Sequence, residues 1–192
     1  MRRGLFAVLA VVGLLVLVAL MVFGSYVSAR NQMVAKDQQV KQTWSEVSIK
    51  MQRRADLIPN LVETVKGFTK EESGVYGEIA QARDGLMNAQ TPQQKIAANG
   101  QLDGALAKFL VLTENYPQLR SSDQFMWLQD ELAGTENRIA VARKRYNDAI
   151  QDYNTFILQF PNNVWAGMAG FQQNTAYFTA SPGAQNVPSV KF

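Results

Sequence analysis

The feature that most constrains the fold is a sustained heptad repeat in the last third of the chain. Between residues 125 and 160, apolar or small residues recur at spacings that alternate between three and four. They are Phe125, Leu128, Leu132, Thr135, Ile139, Ala142, Tyr146, Ala149, Tyr153, Phe156 and Phe160. Only an α-helix presents such a series on one face. A capping-box pattern at residues 121–124 predicts where this helix begins, and Pro161 predicts where it ends.

A second series with the same spacing predicts another long helix. It comprises Met33, Asp37, Val40, Trp44, Val47, Met51, Ala55, Ile58, Val62 and Val65. Pro59 lies inside it, and a proline removes one backbone hydrogen bond and clashes with the carbonyl four residues earlier. We therefore predict a break or strong kink near residues 56–59, which gives either two helices or one bent helix.

A third helix is predicted between two prolines. Thr91 is a good N-cap, Pro92 suits the first turn, and Pro117 ends the helix. Short connections predict that consecutive helices pack antiparallel, with Trp44, Trp127, Phe109 and the tyrosines supplying bulk at or beside the seams. The expected fold is all-α: an antiparallel up-and-down bundle of three long helices, or four if the first breaks near Pro59.

The N-terminal segment predicts a transmembrane helix ahead of this bundle. Residues 5–23 are apolar except for Gly13, and at about 1.5 Å per residue they approach the roughly 30 Å hydrocarbon core of a bilayer. Extending the run to residue 27 leaves room for tilt. A cleaved signal peptide is the main alternative, but its apolar region usually covers only about 7–15 residues. A buried core helix is the other alternative.

The basic residues around this span indicate its orientation. Arg2 and Arg3 precede it, and Arg30, Lys36 and Lys41 follow it at greater distances. The positive-inside rule then favours a cytoplasmic N-terminus and a bundle on the extracytoplasmic side.

Composition excludes several classes of chemistry. The chain has neither Cys nor His, so disulfides, thiolate nucleophiles, Ser-His-Asp triads and Cys or His metal sites are excluded. We predict no catalytic residue, metal or cofactor. Arg2 and Arg3 supply two of the net +3 charges, so the remainder is nearly neutral and nucleic acid is not an expected partner.

Two groups of polar residues are candidates for interaction or for setting helix register. They are Arg53, Arg54, Asp56 and Asn60 in the first helix, and Glu131, Glu136, Asn137 and Arg138 in the last. One interpretation is a site for anions or lipid headgroups. The other is that an arginine pairs with Glu131 or Glu136 on a facing helix, since polar residues beside a seam commonly fix orientation.

The C-terminal segment is uncharged between Asp152 and Lys191. Its candidate contact residues are Phe160, Trp165, Met168, Phe171, Tyr177 and Phe178. They could pack on their own bundle, form a contact between copies, or rest on a membrane interface. The predicted organisation is an anchor at 1–29, a bundle at 30–160, this aromatic segment at 161–179 and a flexible tail at 180–192.

Several segments carry a resemblance to a known family. They are RNQMV at 30–34, QRRADLIPNLVETVKG at 52–67, TENRIAVAR at 135–143, the pairs Tyr146-Asn147 and Tyr153-Asn154, and Phe160-Pro161. In this order and spacing, over about residues 30–178, the chain resembles the bacterial LemA family. The resemblance implies a single-pass helical-bundle protein of the bacterial inner membrane, without established activity or catalytic residues and with relatives linked to membrane invagination.

Three functional hypotheses follow. The first is a non-enzymatic membrane scaffold that forms homo-oligomers or organises envelope membrane proteins. The second is an adaptor or regulator of a membrane protease or transporter. The third is an enzyme that uses carboxylates such as Glu71, Glu72 or Glu136, but no cleft-forming motif accompanies them.

Overall fold

A computed structural model describes residues 2–67 and 73–179, in which the chain forms six helices and no strand. The helices are α1 (Arg2–Lys66), α2 (Ser73–Asn88), α3 (Pro92–Thr113), α4 (Pro117–Arg120), α5 (Asp123–Leu158) and α6 (Asn162–Ala169). The predicted all-α class is confirmed. Glu71, Glu72 and the predicted flexible tail at 180–192 lie outside the described residues.

The helices form two compact units. The first comprises Met1–Lys41 and Ala149–Thr175, and the second comprises Gln42–Asp148 and Ala176–Phe192. In the first unit, every side chain from residue 8 to residue 25 is exposed, whereas Ala29 and Met33 are buried. Lys36 Nζ of α1 lies 2.6 Å from Asp152 Oδ2 of α5.

The second unit is an up-and-down bundle of four helices. Contacts of α1 with α5 pair Glu46 with Arg145 and Arg54 with Glu136, so these helices run antiparallel. Contacts of α1 with α3 pair Ser48 with Lys95 and Arg54 with Asp103, so these helices run parallel. The predicted up-and-down topology is thus confirmed. The core comprises Val47, Met51, Ala55, Ile58, Leu61 and Val65 of α1, Ile79 and Leu86 of α2, Leu102, Leu106 and Phe109 of α3, and Phe125, Leu128, Ile139 and Tyr146 of α5.

Of the two alternatives predicted near Pro59, the break into two helices is wrong, because α1 continues through Pro59 to Lys66 as one helix. Proline has no N–H to donate to the carbonyl of Ala55, one turn earlier. Arg83 of α2 supplies the missing donor, with its Nε 3.1 Å from that carbonyl oxygen. Instead, α1 ends at Lys66. The fourth helix of the bundle is α2, which begins at Ser73.

The heptad series of α5 is buried as predicted from Phe125 to Tyr146, but it drifts afterwards. Ala149 and Phe156 of the series are only partly buried, whereas their neighbours Ile150 and Ile157 are buried; Phe160 lies beyond the end of α5 and is 84% exposed. A straight α-helix has 3.6 residues per turn, so a strict heptad series rotates away from the core by about 20° per repeat. Trp127, predicted to lie at or beside the seam, is 57% exposed because it sits one position before the buried Leu128.

The predicted helix starts are partly correct. Thr91 and Gln94 form a reciprocal capping box, with both hydrogen bonds at 3.2 Å. At α5 the cap is Ser122, whose Oγ accepts from the Phe125 N–H at 3.2 Å. Ser121 donates to the Gln118 carbonyl of the preceding turn instead, so the box predicted at residues 121–124 does not form.

If Arg83 replaces the donor that Pro59 lacks, the two positions are energetically coupled. We expect Arg83→Met to lower the free energy of unfolding by about 1–3 kcal/mol, because the carbonyl of the buried Ala55 loses its donor. In a Pro59→Ala background the cost is expected to be smaller, since the N–H of residue 59 can bond the same carbonyl. Urea unfolding of the full chain in detergent, followed by circular dichroism, measures both costs. Equal costs in the two backgrounds would contradict this role of Arg83.

Candidate functional site

The most deeply buried charge in the described part of the chain is Arg54. Only 6% of the surface of Arg54 is exposed. One guanidinium nitrogen donates to Asp103 Oδ1 at 2.5 Å and lies 2.7 Å from Glu136 Oε2. A buried cation is costly unless carboxylates neutralise it. These two come from α3 and α5, so a single side chain of α1 links three helices.

A second cation and an amide complete this ion network. Arg143 of α5 lies 3.5 Å from Asp103 Oδ2 and 3.8 Å from Glu136 Oε1. Asn99, itself fully buried, donates to Asp103 Oδ2 at 3.0 Å. Two cations thus face two carboxylates, and the network is neutral.

Sequence reasoning identified Arg54 and Glu136 but missed Asp103, Asn99 and Arg143. Asp103 lies one turn after Asn99 and next to the buried Leu102. A polar i, i+4 pair beside an apolar seam position is the signal that could have found this part of the network.

The other predicted polar residues lie nearer the surface. Arg53 and Arg138 both approach Glu131, at 3.6 Å and 3.2 Å. Exposed pairs of this kind contribute little to stability. The structure leaves three predicted residues exposed and outside both groups: Asp56, Asn60 and Asn137.

A groove of about 370 Å³ lies beside the network, between α3 and α5. Its lining comprises Arg54, Leu106, Leu110, Gln129, Asp130, Leu132, Ala133 and Glu136. The walls are mainly aliphatic, and the ionic groups at one end are already paired with each other. Within residues 2–67 and 73–179, no group of three or more acidic side chains is placed to hold a metal ion.

The residues that follow α6 form an extended strap, residues 171–179, held by asparagines of α5. In the second unit, Asn147 Nδ2 donates to the Phe178 carbonyl at 2.8 Å, and Asn147 Oδ1 accepts from the Phe178 N–H at 3.0 Å. In the first unit, Asn154 makes the same pair of bonds with Asn174, at 2.7 Å and 2.9 Å. Each asparagine side chain thus bonds one backbone N–H and one carbonyl of the strap, as a neighbouring strand would.

The tyrosines that precede these asparagines also contact the strap. Tyr153 donates from its hydroxyl to the Gln172 carbonyl at 2.9 Å, and the Tyr146 ring packs edge to face on Phe178. Burial raises the pKa of Tyr153, and the negative charge of Asp37 raises that pKa further. The phenol therefore stays protonated and able to donate. These contacts with the strap explain why a Tyr-Asn pair occurs twice in α5.

The predicted aromatic contact residues of the C-terminal segment divide into two groups. Phe178 stacks on Trp44 and lies under the Arg143 guanidinium, 5.2 Å from its ring centroid. Trp165 packs edge to face on Tyr26 at 5.7 Å. Phe171 and Tyr177 are partly buried, whereas Phe160 and Met168 are exposed. The segment therefore packs in part on its own chain and in part leaves apolar side chains free.

Among the described helices, α1 alone is long and apolar enough to cross a membrane. Its apolar side chains from Val8 to Phe23 are exposed. An uncovered apolar surface of this length is unfavourable in water and suits a bilayer.

The ion network predicts a large difference between two adjacent arginines. We expect Arg54→Met to lower the free energy of unfolding by about 2–4 kcal/mol, because two carboxylates lose their main counter-charge. Arg53→Met is the matched control, with an expected loss of no more than about 1 kcal/mol because Arg53 is exposed. Urea unfolding of both variants in detergent measures the difference. Similar losses for the two variants would contradict the assignment.

The asparagine contacts predict that the strap can be released selectively. Asn154→Ala removes two hydrogen bonds, each worth about 0.5–1.5 kcal/mol. We expect faster hydrogen exchange at the Asn174 amide, measured by mass spectrometry of the peptides that cover 171–179. Asn137→Ala, an exposed change on the same helix, is the control. Unchanged protection in Asn154→Ala would show that the asparagine does not hold the strap.

Comparison with known proteins places this fold in a family. Residues 43–192 match the LemA family. The chain is 29% identical to magnetosome protein MamQ 2 of Paramagnetospirillum magneticum, over 78% of this chain and 63% of the relative. It is 27% identical to magnetosome protein MamQ of Magnetospirillum gryphiswaldense, over 77% and 62%, so it spans less than two thirds of the length of these relatives. Protein LemA of Metamycoplasma hominis is 22% identical, over 81% of this chain and 71% of the relative. With the family match covering most of its length, the chain belongs to the LemA family.

Proposed function

We propose that this chain is a non-enzymatic, membrane-anchored scaffold whose helical bundle associates with its own copies and organises other envelope membrane proteins. The observation that carries the proposal is α1, which exposes a bilayer-length apolar surface and then buries one face from Ala29 onward. No loop separates the two parts of this helix. In this proposal residues 5–27 cross the bacterial inner membrane and the bundle lies on the extracytoplasmic side.

The use of charge in the bundle supports a structural role. Arg54, Arg143, Asp103 and Glu136 neutralise one another across three helices. A catalytic acid or base needs access to a substrate in a cleft. Groups engaged with each other in this way are suited to fixing helix register.

The relatives support a site of action at a membrane. Two of them are named as magnetosome proteins, and the resemblance to the LemA family implies a membrane anchor. None of the relatives' names states a catalytic activity.

The exposed apolar side chains of the second unit support association between bundles. They are Ile49, Met87, Val111, Met126, Trp127 and Val141. Trp127 is the largest of them, and exposed tryptophans are enriched among residues that dominate binding energy at protein interfaces. We propose Trp127 as an anchor of the contact between copies.

The scaffold proposal predicts that assembly depends on Trp127. Full-length protein in detergent is expected to scatter light as an oligomer, and Trp127→Ser is expected to shift the mass toward the monomer. Its melting temperature is expected to stay the same, since the side chain is mostly exposed. Gln124→Ser, an exposed change on the same helix, is the control. A wild-type chain that is monomeric at all concentrations would contradict self-association, and an unchanged oligomer in Trp127→Ser would contradict the role of Trp127.

A further inference from the structure

The first unit carries an exposed apolar surface apart from α1. Phe160, which follows α5, is 84% exposed, and Val164 and Met168 of α6 are 49% and 71% exposed. Val164 and Met168 are four residues apart, so they share one face of α6. We call these three residues the foot. No charged residue occurs between Asp152 and Lys191, so no charge of this segment interrupts the foot.

Contacts within this unit fix the foot beside the end of the apolar run. Trp165, next to Val164 on α6, packs edge to face on Tyr26 at 5.7 Å. Tyr26 lies in the last turn of the run that ends at residue 27. Ala166, the next residue of α6, is buried, and its carbonyl accepts from the Phe171 N–H at 3.0 Å at the end of this helix. A tyrosine and a tryptophan at this position are typical of the aromatic belt at a membrane boundary.

The spacing of charges leaves room for the interfacial layer of a bilayer. Arg30 is the first charged residue after the apolar run. The first ion pair between α1 and α5 in this unit is Lys36 with Asp152. Lys36 lies ten residues after Tyr26, which is about 15 Å along the helix axis. All the side chains of α6 are uncharged.

We propose that the foot inserts into the interfacial layer of the bilayer, so that α6 forms a second, shallow membrane contact beside the transmembrane helix. This inference rests on the proposed membrane anchoring. The occupant is lipid because Trp165, the neighbour of Val164, contacts Tyr26 at the end of the apolar run, where in the proposed anchoring α1 leaves the hydrocarbon core. A helix face bound in this way lies about 5–10 Å deep at the boundary of headgroups and acyl chains.

The chain has no native cysteine, which allows a direct test with single labels. Met168→Cys places an environment-sensitive nitrobenzoxadiazole dye on the foot. Gln151→Cys, an exposed site on α5 near the Lys36–Asp152 ion pair, is the matched control, and Val18→Cys reports on the anchor. Each full-length labelled protein is reconstituted into phosphatidylcholine vesicles with and without lipids that carry a nitroxide quencher near the top of the acyl chain.

The expected result is a blue-shifted, strongly quenched dye at residue 168 and an unquenched dye at residue 151. Quenching at residue 18 with none at residue 168 would overturn the foot while leaving the anchor intact. No quenching at residue 18 would overturn the membrane anchoring on which the foot rests. The dye at residue 168 could instead be blue-shifted in detergent as well as in vesicles, and not be quenched by the nitroxide lipids. That result would assign the foot to a contact between copies and overturn the lipid contact.

Discussion

A buried arginine is the interaction on which the arrangement of the second unit depends. The Arg54 guanidinium can be buried only where carboxylates meet it, and the structure provides Asp103 from α3 and Glu136 from α5. The next residue, Ala55, offers the carbonyl that Pro59 leaves without a donor, and Arg83 of α2 bonds to it. One turn of α1 thus makes polar contacts with all three other bundle helices. If one of these helices shifted along its axis by one turn, a buried polar group would lose its partner. The lost partner costs more free energy than an apolar mismatch of similar size.

The same network extends to the C-terminal strap. Arg143 faces Asp103 and Glu136 and also lies over the ring of Phe178. Asn147, one turn farther along α5, bonds both backbone groups of Phe178. The strap therefore packs on helices whose register the ion network fixes.

The sequence predicted the helices well because their periodicity is local, and it predicted contacts less well because these depend on distant residues. The series through Met33 and Phe125 identified the buried faces of α1 and most of α5. Pro59 misled the prediction because its compensating donor, Arg83, lies on another helix. Asp103 was missed because its partners lie on α1 and α5. The strap was not predicted as a separate element, because the side-chain amides that bond its backbone belong to the distant helix α5. Phe160 was assigned to the seam by spacing, but α5 ends at Leu158 and Phe160 is exposed beyond it.

We propose that the membrane-anchored bundle works as an assembly of its own copies. Stepwise photobleaching of one dye per chain at low surface density counts the copies in each particle of the full-length protein in a lipid bilayer. We expect a defined number of steps greater than one that does not change as the chain is diluted in lipid. Single-step bleaching at every density would contradict it.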